Sequence, residues 1–267
     1  MPEGDTIFRA AATLNRALGG QVVTRFVSVY PALTRVDQDT PIAGRTVERV
    51  ESLGKHLLMW FSGDLILRTH MRMNGSWHVY PHGARWRRPA RDARILVATE
   101  RAVAVGFNVP VAELIRARDL ARHEDLRSLG PDLLGEQFDS ADAVRRVRGR
   151  DGDLMADLLL DQRVAAGIGN VFKCEILFLA RINPFTRASD VTDAQLAEVF
   201  AIGRRVMTVS VKLGRRTTRS SLDPAGRLWV YGRAGQPCFR CRTMILAKKT
   251  GPDARITYWC PSCQPAR

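Results

Sequence analysis

From Asp5 to Leu18 the apolar residues Ile7, Ala11, Leu14 and Leu18 recur at helical spacing, and Gly19 and Gly20 follow. This pattern places one apolar stripe on one face and predicts an amphipathic helix stopped by the glycines. From Val22 to about Asn108 the period shortens to strand-like runs: VVTRFVSVY, HLLMWF, LILRTHM, GSWHVY, RILVATE and RAVAVGF. Their regular spacing predicts a β-sandwich or barrel-like domain. Beyond residue 115 helical patterns return in DLARHEDLRSLG, FDSADAVRRVRG, DLMADLLLDQ, VFKCEILFLARI and TDAQLAEVFAIGRRVMTVSVKLG, and the polar stretch GRRTTRSSLDPAGR leads into a cysteine-bearing tail. The expected class is α+β and multidomain. It comprises a β domain with a leading helix over 1–115, a helical domain over 116–225 and a small module over 226–267. The chain shows neither an internal repeat nor a low-complexity tract.

Composition narrows the partner. With 45% hydrophobic and 25% charged residues, the 267-residue chain is an ordinary globular sequence, long enough for two domains. No run approaches the roughly 18 apolar residues of a membrane helix, and the start lacks the basic and apolar regions of a signal peptide, so a cytosolic protein is expected. Forty-one basic against 27 acidic residues leave a formal charge of +14. Such a surplus usually faces a polyanion, nucleic acid first, the alternative being a merely basic surface. Lysine supplies only Lys55, Lys173, Lys212, Lys248 and Lys249; arginine supplies the rest.

Cys238, Cys241, Cys260 and Cys263 form two C-x2-C pairs separated by 18 residues. That spacing lets two tight knuckles, joined by a small β-hairpin, offer four thiolates to one Zn²⁺. A shell closed by four thiolates leaves no position for water or substrate, so the expected zinc is structural. Cys174, among apolar neighbours, is expected to be a buried helix residue rather than a reactive thiol.

The first residues, MPEGDT, can carry chemistry. Initiator Met is commonly removed before a small residue, which would leave Pro2 with a free secondary amine beside the Glu3 carboxylate. Such a pair suits Schiff-base catalysis, although Pro and Glu are also ordinary helix-start signals. Farther on, DQRVAAGIGNVF places Gly167 and Gly169 in a turn before Asn170 at a helix start. There Asn170 can cap the helix or donate its amide to a phosphate oxygen.

Together MPEG, SLGKHLL, AGIGNVFKCEIL, VYGRAGQPCFRC and ARITYWCPSC resemble the formamidopyrimidine-DNA glycosylase and endonuclease VIII family over nearly the whole chain. The resemblance implies a bifunctional DNA glycosylase and AP lyase of base excision repair. Its parts would be an N-terminal β-sandwich, a helix-two-turn-helix domain and a C-terminal four-cysteine zinc finger. It implies a monomer acting on double-stranded DNA with oxidised bases or abasic sites, nucleoid-associated through that binding, with no membrane partner. Matched to the family motifs, Pro2 is the nucleophile at C1′ and Glu3 the acid/base that protonates the sugar ring oxygen. Lys55 stands near the scissile phosphate; Asn170 and Arg255 grip phosphates, Arg255 also being counted with the catalytic set. Met73, with Arg72 and Asn74 beside it, is the candidate wedge for the hole left by the extruded nucleotide, its alternative being ordinary packing. An α-amino group titrates near pH 8, and the helix's positive end and Lys55 would lower that while ionised Glu3 opposes it.

The start MPEGDT is more similar to the endonuclease VIII branch, which implies oxidised pyrimidines as substrates and strand cleavage by β/δ-elimination. Two alternatives stay open: an 8-oxoguanine and formamidopyrimidine glycosylase, or a catalytically silent damage-binding protein. Segment 214–224 stands where the purine branch carries a lesion-capping loop but matches no such pattern, and could equally be a linker. Near GFNVPVAELI the purine branch's Arg and Phe pair is not found.

Overall fold

The apolar stripe at the start of the chain folds as α1 (Gly4–Leu18), with Ile7, Ala11, Leu14 and Leu18 all buried. Glycine is required at its end: a Cβ on Gly19 would lie 2.6 Å from the Asn15 carbonyl oxygen, and Gly20 has φ 74°. The computed structural model describes residues 2–221, 223, 226–251 and 254–266. The chain divides into two compact units, Met1–Arg127 and Ser128–Arg267.

In the first unit α1 is followed by β1 (Val23–Ser28), α2 (Pro31–Asp39), β2 (Val47–Leu53), β3 (His56–Phe61), β4 (Leu65–His70), β5 (Ser76–Tyr80), β6 (Ala93–Thr99), β7 (Val103–Phe107), β8 (Val111–Arg116) and the single turn α3 (Glu124–Arg127). Two four-stranded antiparallel sheets form, in the orders β1-β6-β7-β5 and β2-β3-β4-β8. Of the two β architectures expected, the chain adopts the sandwich. Leu57, Met59, Phe61 and Leu67 of one sheet share a core with Val23, Trp77, Ile95 and Val97 of the other and with the buried face of α1. The edge strands β2 and β8, and α2, are elements that the run-by-run reading does not predict. DLARHEDLRSLG yields only a 3-10 turn over Ala117–Arg122 and α3.

The second unit holds α4 (Ser140–Arg148), α5 (Met155–Leu158), α6 (Asn170–Leu179) and α7 (Asp193–Lys212), then a hairpin of β9 (Leu246–Thr250) and β10 (Arg255–Trp259). Thr192 and Gln195 close a reciprocal capping box at the start of α7. DLMADLLLDQ gives one helical turn rather than a long helix. The Met155 and Ala156 amides, which open this turn and have no intrahelical partner, bond to the Thr186 and Pro184 carbonyls, both at 3.0 Å. Among the described residues no helix is long and apolar enough to cross a membrane.

Candidate functional site

Glu3 is the N-cap of α1, its carbonyl accepting from the amides of Thr6 at 2.9 Å and Ile7 at 3.1 Å, and it is wholly buried. Its carboxylate therefore sits by the helix's positive end. Pro2, immediately ahead, is half-buried; Met1 lies outside the described residues. At the other end, Val50 N donates to Asn15 Oδ1 at 2.8 Å and Gly20 N to the Val47 carbonyl at 2.8 Å. The helix and β2 thus run antiparallel. About 18 Å of helix separates Asn15 from Glu3, and β2 runs on about 10 Å from Val50 to Leu53 before the turn. Lys55 is in the two-residue turn between β2 and β3, where Gly54 takes the left-handed φ of 58° that this hairpin needs. β2 therefore leads the Lys55 turn in the direction of the end of α1 that carries Pro2 and Glu3.

Beneath Lys55 lies a polar cluster that the sequence motifs do not single out. His56 and His70 face each other across β3 and β4, ring centroids 4.9 Å apart. Buried Arg68 donates from Nε to His56 Nδ1 at 3.2 Å and is ion-paired with Glu113 and Asp125; His123 joins Glu113 at 3.0 Å. Burial, then the Arg68 charge, pushes His56 down to about 3. Burial, then the charges of Arg72 and Lys55, pushes His70 down to about 4. Both rings are neutral at pH 7. Because the Arg72 amide donates to His70 Nδ1 at 3.0 Å, the proton of this imidazole resides on Nε2, which makes His70 a hydrogen-bond donor near the Lys55 cation.

Arg72 reaches that bond with φ 48°, in the left-handed region. It begins a displayed tip, Arg72-Met73-Asn74, closed by Gly75, where a Cβ would meet the Met71 carbonyl oxygen at 2.6 Å. Met73 is 52% exposed, so it does not occupy a core position. The three tip residues line a cavity of about 490 Å³ with Tyr30, Arg94 and Asn108.

In the second unit the turn before α6 is organised by Gln162, whose Oε1 accepts from Gly167 N at 3.0 Å and whose Nε2 donates to the Leu160 and Ile168 carbonyls. Asn170 is buried and donates Nδ2 to the Ile256 carbonyl at 2.8 Å, which joins it to the strand carrying Arg255; its Oδ1 has no hydrogen-bond partner among the described residues. One turn on, Lys173 Nζ donates to Thr257 Oγ1 at 2.6 Å, and the Tyr258 amide reaches Cys174 Sγ at 3.4 Å, so Cys174 is the buried helix residue expected. Wholly buried Glu175 accepts from the amides of Trp229, Val230 and Tyr231 at 2.8 to 2.9 Å and from the Thr218 hydroxyl. Burial pushes its carboxyl above the usual range against the pull of those four donors. Thr217 and Thr218 within 214–224 are thereby fixed to α7, through Ser210, and to α6. Positions 222 and 224 of that segment, and 252 and 253 at the hairpin tip, lie outside the described residues.

The four cysteine sulfurs lie within 4.8 Å of one another, close to the roughly 3.8 Å edge of a tetrahedron with 2.3 Å metal–sulfur bonds. Amides of Arg240 and Cys263 point at Cys238 Sγ and Cys260 Sγ, at 3.4 and 3.5 Å. The donors fit a metal ion that favours thiolate.

Two features were accessible to sequence reasoning in different degrees. His56 and His70 become a pair only once the β3–β4 register is known. The arginine-rich run RWRRPARDAR, by contrast, is visible as a charge run.

Residues 1–130 match the formamidopyrimidine-DNA glycosylase N-terminal domain, and residues 129–221 match the H2TH domain of the same enzymes. "Probable endonuclease 8 2" of Streptomyces coelicolor is 38% identical over 99% of this chain and 94% of its own length. "DNA-(apurinic or apyrimidinic site) lyase Nei2" of Mycolicibacterium smegmatis is 36% identical, with 100% of both chains covered. Lactococcus lactis Fpg, solved with DNA containing an abasic site and with DNA containing an oxidised pyrimidine, shares the fold. In both cases the TM-score is 0.85 at 23% identity, over 99% of this chain and 100% of that one.

Proposed function

Belonging to the formamidopyrimidine-DNA glycosylase and endonuclease VIII family, the chain is a DNA glycosylase and AP lyase of base excision repair, and we propose that it excises oxidised pyrimidines through a Schiff base on Pro2. The observation that carries the chemistry is local. A half-buried proline stands directly before a wholly buried glutamate at the positive end of α1, and β2, antiparallel to that helix, leads the Lys55 turn in its direction.

With Met1 removed, the Pro2 nitrogen attacks C1′. The N–C1′ bond forms as the glycosidic bond breaks, and the base leaves with its electron pair and takes up the proton that the proline nitrogen gives up. Glu3 delivers a proton to the ring oxygen, the sugar opens, and an iminium remains. Loss of a C2′ proton expels the 3′ phosphate, and a second elimination expels the 5′ phosphate. Lys55 and the Nε2–H of His70 are donors for a phosphate beside the lesion. Asn170 and Arg255 grip the backbone from the second unit, and Met73, flanked by Arg72 and Asn74, fills the vacated stack. Cys238, Cys241, Cys260 and Cys263 hold one structural Zn²⁺, which shapes the 226–267 module and takes no part in the reaction. The enzyme works as a monomer on duplex DNA.

The pyrimidine preference is supported by the MPEGDT start and by relatives named endonuclease 8 2 at 38% identity. Single-lesion duplexes, scored separately for base release, strand cleavage and borohydride-trapped adduct, test the reading. Adduct on the Pro2 peptide with faster release of oxidised pyrimidines is expected. Absence of adduct with intact DNA binding would leave a silent binding protein.

A further inference from the structure

The connection between β5 and β6, residues 81–92, holds Arg85, Arg87, Arg88 and Arg91, and Arg94 follows on β6. Its path follows from the register. Tyr80 pairs with Val103 at one end of β7, whereas Ala93 pairs with Phe107 at the other, so the segment must cross the outer face of the sheet lengthwise, about 13 Å of strand. It is fastened along the way. Trp86 packs its ring 5.7 Å from Phe107 and 6.4 Å from Tyr80, Arg87 N donates to the Tyr80 hydroxyl at 3.1 Å, and Asn108 N donates to the Asp92 carbonyl at 2.8 Å.

Charge sets this segment apart. In the second unit Arg145, Arg146, Arg148, Arg150 and Arg163 are each ion-paired with aspartates. None of Arg85, Arg87, Arg88, Arg91 and Arg94 forms an ion pair with a described carboxylate. Arg85, Arg87 and Arg91 are exposed. The series ends at the wedge, because Arg94 lines the same cavity as Met73, Arg72 and Asn74.

We propose that residues 85–94 form an additional phosphate-binding track that grips the DNA flanking the lesion, leading away from the Met73 tip. The proposal rests on the glycosylase reading above. DNA held at Met73 presents its neighbouring phosphates beside Arg94, and a fixed row of guanidinium forks matches phosphate oxygens in charge and geometry. The Trp86 staple orders the backbone before binding, so less ordering entropy is lost on contact.

The test is the salt dependence of binding to duplexes with a central abasic-site analogue. One duplex is long, and one is truncated close to the lesion. For Arg85→Ala/Arg87→Ala/Arg88→Ala, the plot of log K against log salt on the long duplex should flatten by about 0.9 per lost contact. Its slope on the truncated duplex should match wild type. The corresponding triple Lys variant should keep the wild-type slope, since point charges still neutralise phosphates. If the triple Ala variant melts at a lower temperature, the single Arg87→Glu reads the same slope at one exposed position. An unchanged slope on the long duplex overturns the proposal and leaves an acidic protein surface as the partner. Failure of the wild-type protein to bind either duplex overturns the glycosylase reading itself, and the track with it.

Discussion

Asn170 donates its side-chain amide to the carbonyl of Ile256 at 2.8 Å, the residue next to Arg255. Two proposed phosphate grips, one at a helix start and one on a β-hairpin, are thereby tied together, beside the Lys173–Thr257 and Tyr258–Cys174 bonds that join the same helix and strand. Asn170→Ala should cost more binding than one phosphate contact, because it also removes one of the bonds that hold the strand positioning Arg255. In a double-mutant cycle with Arg255→Ala, the coupling energy should fall at about 0.5 to 3 kcal/mol. Strict additivity would show that the two act independently.

A permanent N-terminal extension turns the Pro2 nitrogen into a tertiary amide, which cannot form an iminium. Extended protein should lose trapped adduct, base excision and cleavage together, yet still bind duplex. Trapping at the processed level would move the nucleophile to an internal amine such as Lys55. Glu3→Gln should slow base release while keeping measurable cleavage at preformed abasic sites, where Pro2 meets an open aldehyde; equal loss of both would place Glu3 in both steps.

Histidines held neutral make stability fall with acid. The unfolded chain takes up protons near pH 6.5, whereas folded His56 and His70 do so only at about 3 and about 4. Between those limits the unfolded state binds more protons, so stability is fully present above pH 6.5 and is lost as pH falls toward 4. His56 contributes a slope of up to about 1.4 kcal/mol per pH unit and half-buried His70 less. Denaturant unfolding between pH 7 and pH 5 should show it, and His56→Gln, which keeps an acceptor for Arg68, should reduce it. Parallel curves for the two proteins would rule out this origin.

Chelation, or Cys241→Ser, should abolish tight DNA binding by releasing the hairpin that carries Arg255. Anisotropy titration of a sample verified as metal-free checks this, and full affinity there would refute a structural metal.

Thymine glycol or 5-hydroxyuracil should be released faster than 8-oxoguanine opposite cytosine under single turnover. The reverse order would place the enzyme with the purine-acting branch.

Legibility in the sequence followed burial for most strands. Strands β3 to β7 announce themselves because their apolar residues are contiguous or alternate, while the edge strand β1, which buries only Val23, does so through its run of β-branched and aromatic residues. The edge strand β2 buries only Val47 and Val50, β8 is half-buried throughout, and α2 buries Leu33 alone, so none has a strong period. The candidate site divided the same way. Pro2, Glu3, Lys55 and the cysteines lie in contiguous motifs, whereas the His56, Arg68 and His70 cluster depends on the register of β3 with β4 and on the distant partners Glu113 and Asp125. The dense leucines of DLMADLLLDQ predict a helix, and the chain forms only the turn Met155–Leu158, whose opening amides are held by the Thr186 and Pro184 carbonyls.

The seam along α6 has a consequence for how the second unit comes apart. Cys174 and Phe178 share one apolar cluster with Val230, Ile245 and the metal-site residues Cys238 and Cys260, while Glu175 takes three successive amides of the intervening strap. The hairpin therefore has no separate core of its own to melt from. Unit 2 should behave as one cooperative foldon, with the amides of α6 and of the strap exchanging with solvent at the same opening free energy. Energy released when the metal binds is then shared by the helical bundle, and a defect at a thiolate would be felt in the protection of helix residues several turns away.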